Sequence, residues 1–178
     1  MVRSFDQMIL YMRWANKPHR WVKYDYSNSG YYYVTICTQN RIEWFGQVND
    51  NIVNKNTIGE IAHEFWLQIP NHFKNVYLDE FIIMPNHVHG IIVIDDMTIV
   101  DAADLPHLPS EQYRSRRQFR SKMLLPKIIQ QYKSSVTRQI NNLFVHEKFA
   151  WQKSFHDHII RTDHALNNIR QYIKMAPR

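Results

Sequence analysis

The stretch Phe81-Ile82-Ile83-Met84-Pro85-Asn86-His87-Val88-His89-Gly90-Ile91-Ile92-Val93-Ile94 constrains this chain more than any other. Two apolar runs with high β propensity flank Pro85-Asn86, so the segment reads as a β-hairpin closed by a tight turn. Side chains alternate along a strand, which sends His87, His89, Ile91 and Val93 to one face. Two imidazoles so spaced on a stiff strand supply half of a divalent-metal site. The competing reading is plainer: one partly buried histidine and one at the turn, both hydrogen-bonded.

The other elements arrange themselves around this hairpin. Tyr31 to Thr38 is rich in aromatic and β-branched residues and reads as a strand, with Cys37 a small buried hydrophobe within it. Ile42 to Val48 suggests a short hairpin around Gly46. Thr57-Ile58-Gly59-Glu60 has the form of a capping box, and Ile58, Ile61, Ala62, Phe65, Trp66 and Ile69 recur at helical spacing until Pro70. A second helix is expected from about Leu124 to Leu143, with Ile128, Ile129, Tyr132, Val136, Ile140 and Leu143 on its apolar side. Phe155 to Ile160 is a short β-like piece in which His156 and His158 share a face. Thr162 or Asp163 then caps a last helix carrying Ala165, Leu166, Ile169 and Ile173 inward, with Tyr172 beside that stripe. Strand, helix, hairpin, helix, strand, helix with right-handed crossovers predicts an α+β class. Its expected form is a ferredoxin-like split βαβ, an antiparallel sheet with helices on one face.

Two segments stand apart. Residues 1–23 hold Arg3, Arg13, Lys17, Arg20 and Lys23 against a single acid and form a basic N-terminal arm. Residues 24–178 form the main domain, within which residues 95–120 turn from acidic to basic and read as a long mobile loop. The net charge of +6 favours an anionic partner, nucleic acid before membrane. No apolar run approaches the ~18 residues of a membrane span. A single cysteine excludes internal disulfides and cysteine-cluster zinc sites, and fits a reducing, cytoplasmic setting.

Several strings resemble one family in order and spacing: Tyr24-Asp25-Tyr26-Ser27, Val34-Thr35-Ile36-Cys37-Thr38, Met84-Pro85-Asn86-His87-Val88-His89-Gly90, Trp151-Gln152, His156-Asp157-His158-Ile159-Ile160-Arg161 and Tyr172-Ile173. The family is that of the REP-associated tyrosine transposases, within the HUH endonuclease superfamily. The resemblance implies a ferredoxin-like nuclease acting on single-stranded or hairpin DNA. It places Mg²⁺ or Mn²⁺ on His87 and His89 and makes Tyr172 the nucleophile, with a 5′-phosphotyrosine intermediate that allows resealing. It also implies a monomer or homodimer.

The chain departs from the family at the metal site. An Asn or Gln usually follows the tyrosine by one helical turn and completes the metal site, whereas Ala176 stands there and has no donor atom. His158 is the first substitute for the third ligand, and water is another. Lys133, in Tyr132-Lys133-Ser134-Ser135, is the leading candidate for a phosphate contact, with Arg20, Lys23, Arg161, Lys174 and Arg178 behind it. Ala176 also leaves room for a catalytically impaired DNA-binding relative that kept the fold. A histidine-triad hydrolase would need a third histidine where Ile91 stands.

Overall fold

A computed structural model describes residues 29–95 and 124–177. The basic arm with Arg20 and Lys23, the loop beyond Asp95, and Arg178 lie outside the described residues. Among the described residues there are six strands: β1 (Gly30–Cys37), β2 (Gly46–Asn49), β3 (Ile52–Lys55), β4 (Val76–Met84), β5 (His87–Ile94) and β6 (His156–Ile160). The α-helices among them are α1 (Thr57–Leu67), the short α2 (Ile69–His72), α3 (Leu124–Leu143) and α4 (Asp163–Met175). Four strands form one antiparallel sheet in the order β4-β5-β1-β6, and β2-β3 pair separately. This is the split βαβ arrangement: the β4-β5 hairpin places β5 beside β1, and α1 and α3 make the crossovers.

Alternation divides the sheet's residues between two cores. Tyr32, Val34 and Ile36 of β1 and Val88, Ile92 and Ile94 of β5 pack with Ile58, Ala62 and Trp66 of α1 and with the α3 stripe. Leu125, Ile128, Ile129, Tyr132, Val136 and Ile140 of that stripe are fully or almost fully buried. At about 1.5–3 kcal/mol for each large apolar side chain removed from water, this stripe is a major source of stability. Gly90 belongs to this face, and a Cβ there would overlap the Trp66 ring, so the glycine lets the indole lie against the sheet.

Helices on one face describes α1 and α3 only. The terminal helix α4 packs on the opposite face, where Leu166, Ile169 and Ile173 meet Tyr33, Ile82, Met84 and Ile91. Its amphipathic stripe needs apolar partners, and the odd-numbered residues of β1 and β5 are the ones still uncovered once α1 and α3 are seated.

Local signals account for most boundaries. Thr162 caps α4 by accepting from the Ala165 amide at 3.2 Å. Two expectations move. The cap of α1 is Asn56, one residue before Thr57, its Oδ1 accepting from the Gly59 amide at 2.9 Å. The small hairpin turns at Asp50-Asn51 rather than around Gly46. Both turn residues have positive φ, 51° and 60°, as short Asp and Asn side chains tolerate. Gly46 instead lies where a Cβ would strike the Asn54 carbonyl.

Candidate active site

The α4 face of the sheet carries the predicted residues. Register places His89 opposite Thr35 and His87 opposite Cys37, all four side chains on that face. The two imidazole centroids are 4.4 Å apart. Two imidazoles in adjacent positions on one octahedral cation, each with a metal–nitrogen bond of about 2.1 Å, would have centroids separated by a similar distance of about 4.5 Å. Tyr172, on the sheet-facing side of α4, brings its ring centroid to 5.7 Å from that of His89. Three groups separated by up to 85 positions in sequence thus meet in one place.

Partners fix the orientation of both histidines. Nδ1 of His87 lies 2.7 Å from Asn86 Oδ1. An amide oxygen only accepts, so Nδ1 carries the proton and Nε2 keeps its lone pair. The turn holding Asn86 is pinned in turn: the Thr38 amide donates to the Asn86 carbonyl at 3.0 Å, and the Thr38 hydroxyl lies 3.0 Å from the same oxygen. Nδ1 of His89 sits 2.8 Å from the Tyr33 hydroxyl and 2.9 Å from the Thr35 hydroxyl. Both rings are held at Nδ1, leaving Nε2 as the nitrogen for a further ligand, an arrangement common at metal-binding histidines.

Electrostatics favour the same state. Burial, and then the nearby Arg41 guanidinium, lower the His87 pKa to about 4. Burial and the neighbouring His87 ring push His89 well below the ordinary imidazole range. Both rings are therefore neutral at pH 7, the form in which imidazole ligates a metal. Burial raises the Tyr172 phenol, and burial followed by the charge on Tyr172 raises Tyr33 further. An unaided Tyr172 is protonated at neutral pH and is a weak nucleophile.

The remaining expectations are placed as follows. His158 pairs with Tyr33, so it shares the face but lies one strand beyond β1 from the histidine pair. Among the described residues no group of three or more His, Cys, Asp or Glu side chains is positioned to hold a metal. Asp157 pairs with Val34 and points to the other core. Ala176 is buried in the α4 core. Lys133 reaches the Gln152 carbonyl at 2.6 Å, tying α3 to the segment before β6, and burial lowers its pKa. Lys174 is engaged with Glu80 at 2.8 Å. Arg161 is exposed beyond the end of β6 and adds positive potential near His158.

Arg41 was missed by sequence reasoning. It sits in the tight turn Gln39–Arg41 just past β1, and its φ of 55° puts it in a left-handed conformation that its sequence neighbourhood does not announce. A basic residue four positions beyond the strand that faces the paired histidines was the available signal.

No protein-family model matches the chain. An uncharacterized protein of Haemophilus influenzae is 32% identical over 158 residues, covering 86% of this chain and 83% of that protein. The chain is also similar to the solved structure of a REP-associated tyrosine transposase bound to a REP hairpin, with a TM-score of 0.49 and 15% identity over 86% of this chain and 69% of that one. A structure from Deinococcus radiodurans described as a candidate transposase gives a TM-score of 0.49 and 13% identity, covering 89% of this chain and 98% of the other.

Proposed function

We propose that this chain, which belongs to the same family as the Haemophilus influenzae protein, is a metal-dependent tyrosine transposase that nicks and rejoins single-stranded DNA, hairpin repeat ends being its natural targets. The observation that carries this reading is the meeting of His87, His89 and Tyr172 on one face of the sheet, with ring centroids 4.4 Å and 5.7 Å apart. The motif strings around these residues support it. A REP hairpin, the ligand of one structural neighbour, is the kind of DNA such a site would serve.

The donor set suits a hard divalent cation such as Mg²⁺ or Mn²⁺ in part. His87 and His89 would hold it through Nε2, with water and phosphate oxygens filling the other positions. When bound, the cation supplies Lewis acidity at a non-bridging phosphate oxygen. His158 is on β6, with β1 between it and the pair, and would serve only as a more distant partner. Tyr172 supplies the nucleophilic oxygen: it attacks phosphorus, a 3′-hydroxyl leaves, and a 5′-phosphotyrosine link remains. The ester energy is kept in that link, so attack by a second 3′-hydroxyl reseals the DNA and restores the phenol. Asn86, Tyr33 and Thr35 act as positioning residues by holding the two imidazoles at Nδ1.

A second reading is a DNA-binding relative with impaired chemistry. Ala176, which offers no donor and is buried in the core, favours it. One experiment separates the two. The protein is incubated with labelled hairpin DNA bearing single-stranded flanks and Mn²⁺, and run on a denaturing gel. A covalent adduct that disappears in Tyr172→Phe is expected. Metal-independent binding with no adduct would leave the second reading.

A further inference from the structure

An open groove of about 730 Å³ lies at the end of the sheet nearest His87, lined by Gln39, Asn40, Arg41, Trp151, Gln152 and Lys153. We propose that this groove is a binding track for the phosphates of a single strand of nucleic acid, leading to the His87 end of the site. The proposal deepens the reading above by naming where the substrate strand runs.

Connectivity sets the location. Cys37, opposite His87 in register, is the last residue of β1, and the Gln39–Arg41 turn begins two positions later. The other wall is fastened to the same strand end: Thr38 bridges to Trp151, the Gln152 amide donates to the Cys37 carbonyl at 2.9 Å, and the Gln39 amide donates to the Ala150 carbonyl at 2.9 Å. The groove and the histidine pair therefore share one rigid frame.

Its chemistry selects an anion. Arg41 and Lys153 are exposed, and no carboxylate is among the lining residues. Behind them the Lys133 ammonium takes up the Gln152 carbonyl at 2.6 Å, which would otherwise present a partial negative charge to a phosphate. The side-chain amides of Gln39, Asn40 and Gln152 add neutral donors. Asn40 and Arg41 both hold φ of 55°, a left-handed conformation that persists where its surroundings enforce it. The Arg41 amide bonding to the Thr38 carbonyl at 3.1 Å is part of that enforcement. The one aromatic ring in the lining, Trp151, is only 8% exposed, so it offers no platform for base stacking. Contacts here go to the backbone and are independent of sequence.

The test measures binding of fluorescein-labelled oligothymidylate by anisotropy, in EDTA, across a potassium chloride series. Each phosphate contact on a single strand contributes about 0.7 to the slope of log affinity against log salt. Arg41→Ala with Lys153→Ala is expected to reduce that slope by about 1.4 and to weaken binding about tenfold at low salt. Arg41→Lys with Lys153→Arg keeps both charges and should restore most of the affinity, which separates lost charge from a disturbed turn. An unchanged slope in the alanine pair, or no binding of oligothymidylate by the wild type, would overturn the track. Duplex of equal length binding as tightly, with the same loss in the alanine pair, would also overturn the single-strand assignment. A wild type that forms no adduct yet shows the slope change would sink the chemistry and leave the track standing.

Discussion

His87 is a base that its surroundings keep uncharged. Its pKa falls from the ordinary 6.5 to about 4 in the folded chain. Between those values the unfolded chain binds a proton that the folded chain refuses. Stability therefore falls as pH drops from about 6.5 towards 4, and above pH 7 the group makes no difference. One pKa unit corresponds to about 1.4 kcal/mol, so His87 should remove roughly 2 kcal/mol between pH 7 and pH 5. Urea unfolding in EDTA at the two pH values checks this: His87→Gln should lose about that much less than the wild type, and an equal loss in both would contradict it. His89 shifts in the same direction and adds to the slope. At this scale the pair itself was legible, because strand alternation is enough to align positions 87 and 89. Arg41 was not legible, because its placement depends on a left-handed turn rather than on periodicity. Lys174 looked available on a helix surface, but sequence cannot show that Glu80 of β4 lies 2.8 Å away.

At the scale of elements, the position of Tyr172, the proposed nucleophile, depends on how α4 is attached. β4 carries an irregularity between Leu78 and Phe81, and Asp79 within it accepts from Arg170 Nε through both carboxylate oxygens, at 3.0 and 3.1 Å. Burial alone would raise the Asp79 carboxyl, but the Arg170 guanidinium holds it below its ordinary value. Arg170 precedes Tyr172 by two residues, so this clamp sets where the phenol stands over His89. Arg170→Ala should slow adduct formation about tenfold, the cost of a small misplacement, while lowering stability by only about 1 kcal/mol. Equal adduct rates in variant and wild type, measured by quenched time points on a denaturing gel, would show that apolar packing alone positions the helix. The helix was readable from Thr162 and its apolar stripe. The clamp was not, because it depends on a strand irregularity that leaves no mark in the pattern of Val76 to Met84.

Across the whole molecule, the sheet separates a large core under α1 and α3 from a smaller one under α4. The order of elements was enough to predict the ferredoxin-like plan. It could not place α4, since an amphipathic stripe shows that a helix packs without showing on which face. Unequal cores imply unequal local stability. Native-state hydrogen exchange should show α4 amides opening at lower free energy than those of the buried α3 stripe. Exchange of both through one global unfolding would refute this. The half-buried phenol of Tyr172 has a consequence for the resting protein. A phenol is already almost wholly protonated at neutral pH, and burial moves Tyr172 further in that direction, so the oxygen rests as an unreactive hydroxyl. An electrophile drifting past in solution finds little there to combine with; under the proposed function, the phenol would stay in reserve until a substrate strand is seated.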